Sequence, residues 1–397
     1  MTPWLSLIGI GEDGVVSPAA AARLKQAALV VGGARHLRLA GETAGARLVW
    51  PTPLRDAFPR ILARRGEPVA LLASGDPFFY GVGSLIADLV EPQEFESFPQ
   101  PSAFSLAASR LGWALQDCAL VSLHGRALER IVPHLQPRAR VLALSWDGDT
   151  PMRLASLLCG RGLGESRLTL LEAMGGPSER RRAATAREFE AHGVDPLNMV
   201  AVEVADLVGD RVAPRAPGLP DEWFEHDGQI TRREMRALTI SALAPRPRQT
   251  LWDVGAGAGS VAIEWRLADV SLKAVAVERN PQRAERIRRN AAALGVPELQ
   301  VVEGVAPEAL AGLPAPDAVF IGGGAAGSVE TCWAALRPGG RLVVNAVTVE
   351  SQALLSELSR RYGGALTLAQ FAHAEPVGRF RGFKSAMPVA QWRAEKT

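Results

Sequence analysis

The sequence has little that could build a disulfide framework or a zinc site. Its 397 residues include only three cysteines, Cys118, Cys159 and Cys332, and none belongs to a CxxC pair or a histidine cluster. Structural zinc and disulfide frameworks need paired or clustered ligands. We therefore expect free thiols, as in a cytoplasmic protein, and no metal.

Long apolar runs and a strong charge are also missing. No run of 18 apolar residues occurs, and the opening MTPWLSLIGIG lacks the basic region and cleavage site of a signal peptide. The formal net charge is only +2, and aromatic residues do not interleave with a basic patch. The composition predicts a cytoplasmic protein whose partners are neither membranes nor nucleic acids.

Lysine is the scarce basic residue. The chain has four lysines against 40 arginines. A GC-rich genome would produce this bias. A substrate with many carboxylates would favour it too, because a guanidinium group pairs with a carboxylate through two parallel hydrogen bonds.

The length predicts two domains or more, because 397 residues exceed what one core usually supports. Three prolines and two glycines interrupt the stretch DLVGDRVAPRAPGLP. Such a stretch is typical of a linker. We predict domains over 1–206 and 223–397, joined by a linker at 207–222.

Strands alternate with helices in the second half. Asn280 and Pro281 suit a helix start and Gly295 its exit, while KSAMPVAQWRA near the chain end adds a possible further strand. Alternation of this kind predicts a parallel sheet with helices on both faces. The predicted strands are Thr250–Val254, Lys273–Glu278, Leu299–Val302, Ala318–Ile321 and Arg341–Ala346.

The first half also reads as α/β. Short apolar runs such as WLSLIGIG, ALVVGG, PVALLASGDP and RVLALSW end in glycine, small or polar residues. We predict helices over Ser102–Leu111 and Arg182–Ala191 between some of them, and enough strands for two small sheets.

A glycine-rich turn follows the first predicted strand of the second half, in LWDVGAGAGSVAIEW. Gly255, Gly257 and Gly259 give the spacing G-x-G-x-G, and Ser260 stands where a dinucleotide fingerprint would have its third glycine. A carboxylate at the end of the next strand, Glu278, suits the hydroxyl groups of a ribose. The turn is compatible with a methyltransferase, an NAD enzyme or a turn without catalytic function.

A second cluster of glycines, Gly322–Gly324 in VFIGGGAAG, follows the fourth strand. Glycines there would let a large flat substrate approach the backbone closely. An ordinary strand-to-helix turn would have the same composition.

Several stretches of the second half together resemble the decarboxylating C15-methyltransferases of cobalamin biosynthesis. They are ITRREMRALTISAL, LWDVGAGAGSVAIEW, VERNPQRAERIRRNA, GVAPEAL, FIGGG and MPVAQW, over about 223–393. In one respect the chain departs from the family, which usually has Asp where this chain has Val305. The resemblance implies that S-adenosylmethionine contacts Thr231, Gly255, Ala256, Gly257, Ala258, Gly259, Glu278, Gly304 and Ala306.

The first half resembles the tetrapyrrole methylases, in particular their C5-methyltransferases, over about 4–205. SLIGIGEDG, ASGDPFFYG, FPQPSAFSLAASRLG, VSLHGR and LEAMGGPSER occur in the family's order. Glu12 and Asp13 replace the Pro-Gly that many relatives carry after the opening glycines, which leaves their role open. The resemblance implies cofactor contacts at Gly9, Gly75, Asp76, Ser102 and Ala103.

Together the two resemblances imply an α/β protein with an N-terminal two-subdomain tetrapyrrole methylase fold and a C-terminal Rossmann-like class I methyltransferase fold. Each domain would bind one S-adenosylmethionine. The implied activity is methylation of precorrin-6B, a tetrapyrrole, at C5 and C15 with loss of the ring C acetate, giving precorrin-8X. A homo-oligomer is expected, and neighbouring pathway enzymes are possible partners.

Alternatives remain at this point. The substrate could be the cobalt-containing counterpart of the anaerobic pathway. A nucleic-acid methyltransferase would need a basic patch or an RNA-binding module, and a non-catalytic cofactor sensor would not explain two different cofactor folds.

Catalytic residues are not identified by the sequence, because the cofactor itself brings the leaving group and needs no nucleophilic side chain. Groups that hold the substrate carboxylates or deliver a proton are still expected. The candidates are Arg232, Arg233, Arg379 and Arg381 in the second domain, and His124 and Arg126 in the first.

Overall fold

The computed structural model describes residues 3–206, 212–322 and 326–397. Contacts between residues divide the chain into two compact units, Met1–Arg211 and Val212–Thr397. Both units are α/β. Among the described residues, no helix combines the length and apolarity needed to span a bilayer.

The predicted linker, 207–222, falls at the boundary of the two units. Residues 207–211 lie outside the described part of the chain. Leu219 is 1% exposed in the core of the second unit, and the backbone N–H groups of Gly218 and Leu219 donate to the Glu264 carboxylate at 2.7 and 2.8 Å. Residues 212–222 therefore pack as part of the second unit, so the predicted linker extends too far toward the second domain.

The first unit begins with a parallel sheet. Its strands are β1 (Leu5–Ile10), β2 (Leu29–Gly32), β3 (Ala46–Val49), β4 (Val69–Ser74) and β5 (Phe95–Phe98). Their order across the sheet is β3-β2-β4-β1-β5. All of β1 is buried, as expected for a central parallel strand between helices. The flanking helices are α1 (Pro18–Gln26), α2 (Ala34–Leu39), α3 (Phe58–Leu62) and α4 (Gly83–Ala87).

A mixed sheet completes the first unit. Its elements are α5 (Ala103–Leu111), β6 (Cys118–Ser122), β7 (Arg140–Leu144), α6 (Thr150–Gly160), β8 (Arg167–Glu172), β9 (Arg180–Thr185) and β10 (Asn198–Glu203). The strand order is β6-β7-β10-β8-β9, in which only β6 and β7 are parallel neighbours. Two separate sheets in this unit were predicted, and the structure confirms them.

One predicted helix of this unit is wrong. The segment Arg182–Ala191 does not form a helix, because its first residues belong to the edge strand β9. Arg180 and Arg182, which alternate along that strand, both reach the fully buried carboxylate of Glu172 on β8, at 2.9 and 3.1 Å. This pairing between strands favours an extended backbone here, although the residue pattern of the segment predicts a helix.

The second unit contains a seven-stranded sheet among its described residues. Its elements are α7 (Arg233–Leu243), β11 (Thr250–Val254), α8 (Ser260–Ala268), β12 (Lys273–Glu278), α9 (Pro281–Ala293), β13 (Gln300–Glu303), β14 (Ala318–Ile321), α10 (Val329–Ala335), β15 (Arg341–Ala346), α11 (Val349–Tyr362), β16 (Ala365–Ala369), β17 (Ala372–Val377), β18 (Phe380–Ser385) and β19 (Val389–Glu395).

The strand order β13-β12-β11-β14-β15-β19-β16 is Rossmann-like, with β19 antiparallel to both its neighbours. Strands β17 and β18 form a separate hairpin. Each of the five predicted parallel strands is present, and the further strand predicted near the chain end is β19. The carboxyl ends of β11, β12 and β14 meet at one edge, where ligands bind in sheets of this kind.

Candidate active sites

Three predicted cofactor segments of the first unit converge at the carboxyl edge of its parallel sheet. A β-carbon at Gly9 would lie 1.8 Å from the carbonyl oxygen of Gly75 and 2.8 Å from the backbone nitrogen of Gln100. Gly75 has a φ of +57°, and a β-carbon there would lie 3.0 Å from the α-carbon of Ser102. The fold therefore brings Gly9, Gly75 and Ser102 together through backbone contacts.

Asp76 and Ser102 each fix a turn beside this junction. The Asp76 carboxylate accepts a hydrogen bond from the backbone N–H of Phe78 at 2.8 Å. The Ser102 hydroxyl caps α5 by accepting from the Ser105 N–H at 3.1 Å, and Ala103 is the first residue of that helix. Both side chains thus shape the loop that the family resemblance assigns to the cofactor.

The two candidate substrate residues of this unit, His124 and Arg126, are exposed just beyond β6. The Arg126 guanidinium carbon lies 5.4 Å from the centre of the Tyr80 ring, within the range of a cation–π contact. Since Tyr80 belongs to the same loop as Asp76, the structure places Arg126 beside the candidate cofactor loop.

A polar cluster that sequence reasoning missed adjoins this loop. Arg35 pairs with Glu12 and donates to the Ser74 hydroxyl at 2.7 Å, and the His36 Nε2 lies 2.8 Å from the same hydroxyl. Burial, with the nearby Arg35 charge, lowers the pKa of His36 to about 4, so its ring is neutral near pH 7. No spacing pattern could reveal the cluster, because its segments meet only in the fold.

In the second unit, Gly255, Gly257 and Gly259 all have left-handed backbones, with φ of +72°, +60° and +76°. This conformation favours glycine. Gly255 is exposed and Ala256 half-buried, whereas the stretch from Gly257 through Ala258 to Gly259 is buried. A β-carbon at Gly259 would lie 2.6 Å from a methyl carbon of Ile287. The open face of the loop is therefore Gly255–Ala256, and Gly259 serves packing against α9.

Two buried carboxylates lie beside this loop: Glu278 bonds the loop itself, and Asp253 bonds the first turn of α8. Glu278, 4% exposed, accepts from the N–H of Gly257 at 2.9 Å and from that of Asn280 at 3.0 Å. Asp253 accepts from the N–H of Ala262 at 3.0 Å. Burial, together with the charge of Glu278, raises the pKa of Asp253 to about 7. Its second oxygen is buried without a hydrogen-bond partner among the described residues.

The remaining loop predictions meet at the same edge. The Gly304 N–H donates to the Glu278 carbonyl at 3.1 Å, Val305 is 58% exposed, and Ala306 is half-buried. A β-carbon at Gly322 would lie 3.2 Å from the Gly255 carbonyl. Gly323 and Gly324 lie outside the described residues.

Thr231 precedes α7, whose N-cap residue is Arg232. The Thr231 carbonyl accepts from Arg236 at 2.5 Å, and Arg236, fully buried, also donates to Glu264 at 2.6 Å. Sequence reasoning missed this buried ion pair. Arg236 also pairs with Asp221 at 3.0 Å. Removing Arg236 would leave the buried Glu264 carboxylate without its guanidinium partner.

The candidate arginines of the second unit lie in two segments. Arg232 and Arg233 are exposed at the start of α7, and Arg232 pairs with Asp221 at 3.5 Å. In the β17–β18 hairpin, Arg379 stacks on a neighbouring ring, and Arg381 donates to a carbonyl of the opposite strand at 2.9 Å.

A contact between charged side chains relates these two segments. The His373 Nε2 of the hairpin lies 4.0 Å from the carboxylate of Glu234 in the first turn of α7. The hairpin therefore lies beside the start of α7, although the described residues include no hydrogen bond between the four arginines and the glycine loop.

Comparisons with known proteins match both units. A family model for tetrapyrrole (corrin/porphyrin) methylases matches residues 7–190, and one for a precorrin methyltransferase domain matches 222–396. A Sinorhizobium precorrin-6Y C(5,15)-methyltransferase (decarboxylating) is 53% identical over 397 residues, covering 99% of this chain and 96% of that protein. Its Mycobacterium tuberculosis counterpart is 41% identical over 400 residues, with 98% and 99% covered.

Among solved structures, the C-terminal domain of precorrin-6Y C5,15-methyltransferase from Rhodobacter capsulatus is 47% identical. The match covers 46% of this chain and 100% of the solved domain, with a TM-score of 0.44. Since the Sinorhizobium relative matches almost the whole length of both proteins, the chain belongs to the precorrin-6Y C5,15-methyltransferase (decarboxylating) family.

Proposed function

We propose that this enzyme methylates a corrin precursor, precorrin-6B, at C5 and C15 and removes the ring C acetate as carbon dioxide, giving precorrin-8X. The first unit would methylate C5. The second would methylate C15 and carry out the decarboxylation. Each unit would bind its own S-adenosylmethionine.

One observation carries this division of labour. Each unit has its own glycine-lined loop at the carboxyl edge of a parallel sheet, around Gly9 and Gly75 in one and Gly255–Gly259 in the other. The two sheets have different strand orders. Two unrelated cofactor folds in one chain favour two separate transfer reactions over a single one.

Two features of the second loop suit the cofactor: its exposed backbone and the carboxylate beside it. Gly255 and Ala256 present exposed backbone, and Glu278 lies at the strand end where a carboxylate can accept from ribose hydroxyls. We assign Thr231, Gly304 and Ala306 to the walls of this site. When bound, S-adenosylmethionine supplies an electrophilic methyl group and its own leaving group.

The first loop suits the cofactor because two backbone segments approach each other closely there. Gly9 and Gly75 have no side chains where they meet. Strand β1 therefore lies directly against the turn that Asp76 fixes. The capped start of α5, Ser102–Ala103, completes the site. Backbone N–H and carbonyl groups are therefore the contacts that this unit offers to the cofactor.

The chain's contribution to both transfers is positioning. The bridging carbons of the substrate are already electron-rich, so holding carbon, methyl and sulfur in line could supply on the order of 7–11 kcal/mol in favourable cases. Arg126 in the first unit, and Arg232, Arg233, Arg379 and Arg381 in the second, would hold substrate carboxylates. His124 is a further candidate in the first unit.

Decarboxylation needs no separate cofactor. The electron pair left by departing carbon dioxide passes into the conjugated macrocycle, and a protonated ring nitrogen can accept it. The arginines would hold the other carboxylates of the substrate during this step. A homo-oligomer and contacts with neighbouring pathway enzymes remain predictions.

The test is to incubate the full chain with labelled S-adenosylmethionine and precorrin-6B and to analyse products by mass spectrometry. The proposal predicts two labelled methyl groups and one carbon dioxide per macrocycle. The cobalt-containing substrate is run in parallel, and faster turnover of that substrate would move the assignment to the anaerobic counterpart. Cofactor binding without turnover of either would indicate a sensor.

A further inference from the structure

Residues 225–231, which we name the cover segment, lie against the glycine loop of the second unit. A β-carbon at Gly257 would lie 2.8 Å from the carbonyl oxygen of Gln229. Gly257 therefore faces the cover segment, and its neighbour Gly255 is the exposed glycine of the loop. A displacement of Gln229 would remove the contact that its carbonyl makes beside Gly257, the middle glycine of the loop.

Basic residues on one face of α9 hold the cover segment. Asp227 accepts from Arg283 at 2.8 Å and lies 3.3 Å from Arg286. The pKa of Asp227 lies well below its usual range, mainly because Arg283 donates this hydrogen bond. Its other oxygen accepts from the Gln229 N–H at 3.2 Å, so one carboxylate joins α9 to the residue that touches the loop.

A second anchor lies two residues earlier. Glu225 pairs with Arg289 at 2.7 Å, and the buried Asn290 accepts from the Glu225 N–H at 2.8 Å. Asn290 also donates to the Ala258 carbonyl at 2.9 Å. The cover segment and the glycine loop are therefore bonded to the same helix by neighbouring side chains.

We propose that Asp227 is a positioning residue for the second cofactor site. It fixes the cover segment on α9, and the fixed segment holds the Gly257 turn in the shape that binds S-adenosylmethionine. This inference rests on the proposed function, because it takes the Gly255–Gly259 loop as a cofactor site. Asp227 itself makes no contact with the reacting atoms.

The anchor is only partly shielded from solvent, since the Asp227 side chain is 37% exposed. Exposed ion pairs contribute little singly, but this carboxylate joins two arginines and a backbone N–H. We expect Asp227→Asn to raise the KM for S-adenosylmethionine in C15 methylation roughly five- to tenfold. The kcat should stay within about twofold, because the transition state gains nothing further from Asp227.

The matched control is Arg288→Gln. Arg288 lies on the same helix but pairs with Glu285 at 3.2 Å and Glu303 at 2.9 Å, away from the cover segment. This control should leave the KM unchanged. Asp227→Glu keeps the charge and should restore much of the affinity. In all three variants the KM for C5 methylation should match that of the unaltered chain.

A readout without turnover completes the test. Hydrogen exchange of peptides covering 225–231 and 255–259 is followed while S-adenosylhomocysteine is titrated into the full chain. Asp227→Asn should speed exchange of the cover segment and shift the titration midpoint of the loop peptides to about five- to tenfold higher ligand. An unchanged midpoint, or a loss of kcat at constant KM, would overturn the positioning role. Absence of protection in the unaltered chain would instead count against the cofactor site itself.

Discussion

Glycine serves the two candidate sites for different reasons. In the second unit, Gly257 is required by its own backbone, whose φ is +60°. In the first unit, Gly9 lies inside strand β1, and the need for glycine comes from the Gly75 carbonyl, 1.8 Å from where a β-carbon would be. A local requirement can be recognised in a sequence, whereas a requirement imposed by a distant segment appears only in the fold.

The ionisable groups beside the two loops differ as well. The first loop adjoins a mixed cluster in which Arg35 pairs with Glu12 and a neutral His36 shares the Ser74 hydroxyl. The second loop adjoins two buried carboxylates, Asp253 and Glu278. Burial thus lowers the pKa of a base beside the first loop, His36, and raises the pKa of an acid beside the second, Asp253.

The largest expected effect is from Gly9→Ala. The added β-carbon would overlap the Gly75 carbonyl, and backbone on one side or the other would have to move. Since a displacement of about 1 Å can cost 100-fold in rate, C5 methylation should fall about 100-fold or more, while carbon dioxide release continues. Product analysis by mass spectrometry measures both.

The control for this variant is Gly160→Ala in the same unit, where a β-carbon would meet nothing within 4 Å. Its C5 methylation should be close to that of the unaltered chain. If Gly9→Ala retains C5 methylation at the same level as this control, the close approach of Gly9 and Gly75 has no catalytic importance.

The next effect in size is from Gly257→Val. A branched side chain at φ of +60° is strained, and its β-carbon would press on the Gln229 carbonyl. Carbon dioxide release and C15 methylation should fall about 100-fold, by the same displacement argument. C5 methylation remains possible if the first unit accepts the undecarboxylated substrate.

Gly312→Ala is the control for backbone strain. It places a side chain on another left-handed glycine, one outside the glycine loop. Gly312 has a φ of +76°, but a β-carbon there would meet nothing within 4 Å. This variant should carry the strain without losing carbon dioxide release. Persistent decarboxylation in Gly257→Val would show that the reaction belongs to another site.

A smaller effect concerns pH and the first unit. The pKa of His36 is lowered from 6.5 to about 4, so between these values the unfolded chain binds the proton and the folded unit does not. The free energy of unfolding should therefore fall as the pH drops from about 6.5 to 4, by up to about 3 kcal/mol. His36→Asn should flatten this dependence in denaturant titrations followed by hydrogen exchange of 29–74.

The second unit should respond in the opposite direction. The pKa of Asp253 is raised from 3.8 to about 7, so the folded unit holds a proton that the unfolded chain has already released. Its free energy of unfolding should fall as the pH rises through this range. Asp253→Asn should remove that part of the dependence. Parallel pH profiles for the two units would contradict this comparison.

The sequence predicts the second unit well, because its signals are local. The strands over 250–254, 273–278, 318–321 and 341–346 match their predicted bounds, and Asn280 caps α9 as expected. Regular burial of parallel strands and glycine at a tight turn are properties of neighbouring residues. The family resemblance added the order and identity of the two folds.

What the sequence could not predict depends on long-range contacts. Arg180–Thr185 is a strand because Glu172 on a neighbouring strand binds its arginines. Leu219 belongs to a core although proline and glycine surround it. The Arg236–Glu264 pair joins residues 28 positions apart. In each case the partner that decides the structure lies outside the local sequence pattern.

The central claim, that the two units carry independent sites, is tested most directly by the products of Asp76→Ala. This change removes the carboxylate that holds the Phe78 N–H in the first unit. With labelled S-adenosylmethionine and precorrin-6B, we predict a macrocycle that has lost carbon dioxide and gained one methyl group, at C15. A folded variant that loses both activities, or that adds both methyl groups at the unaltered rate, would contradict the account.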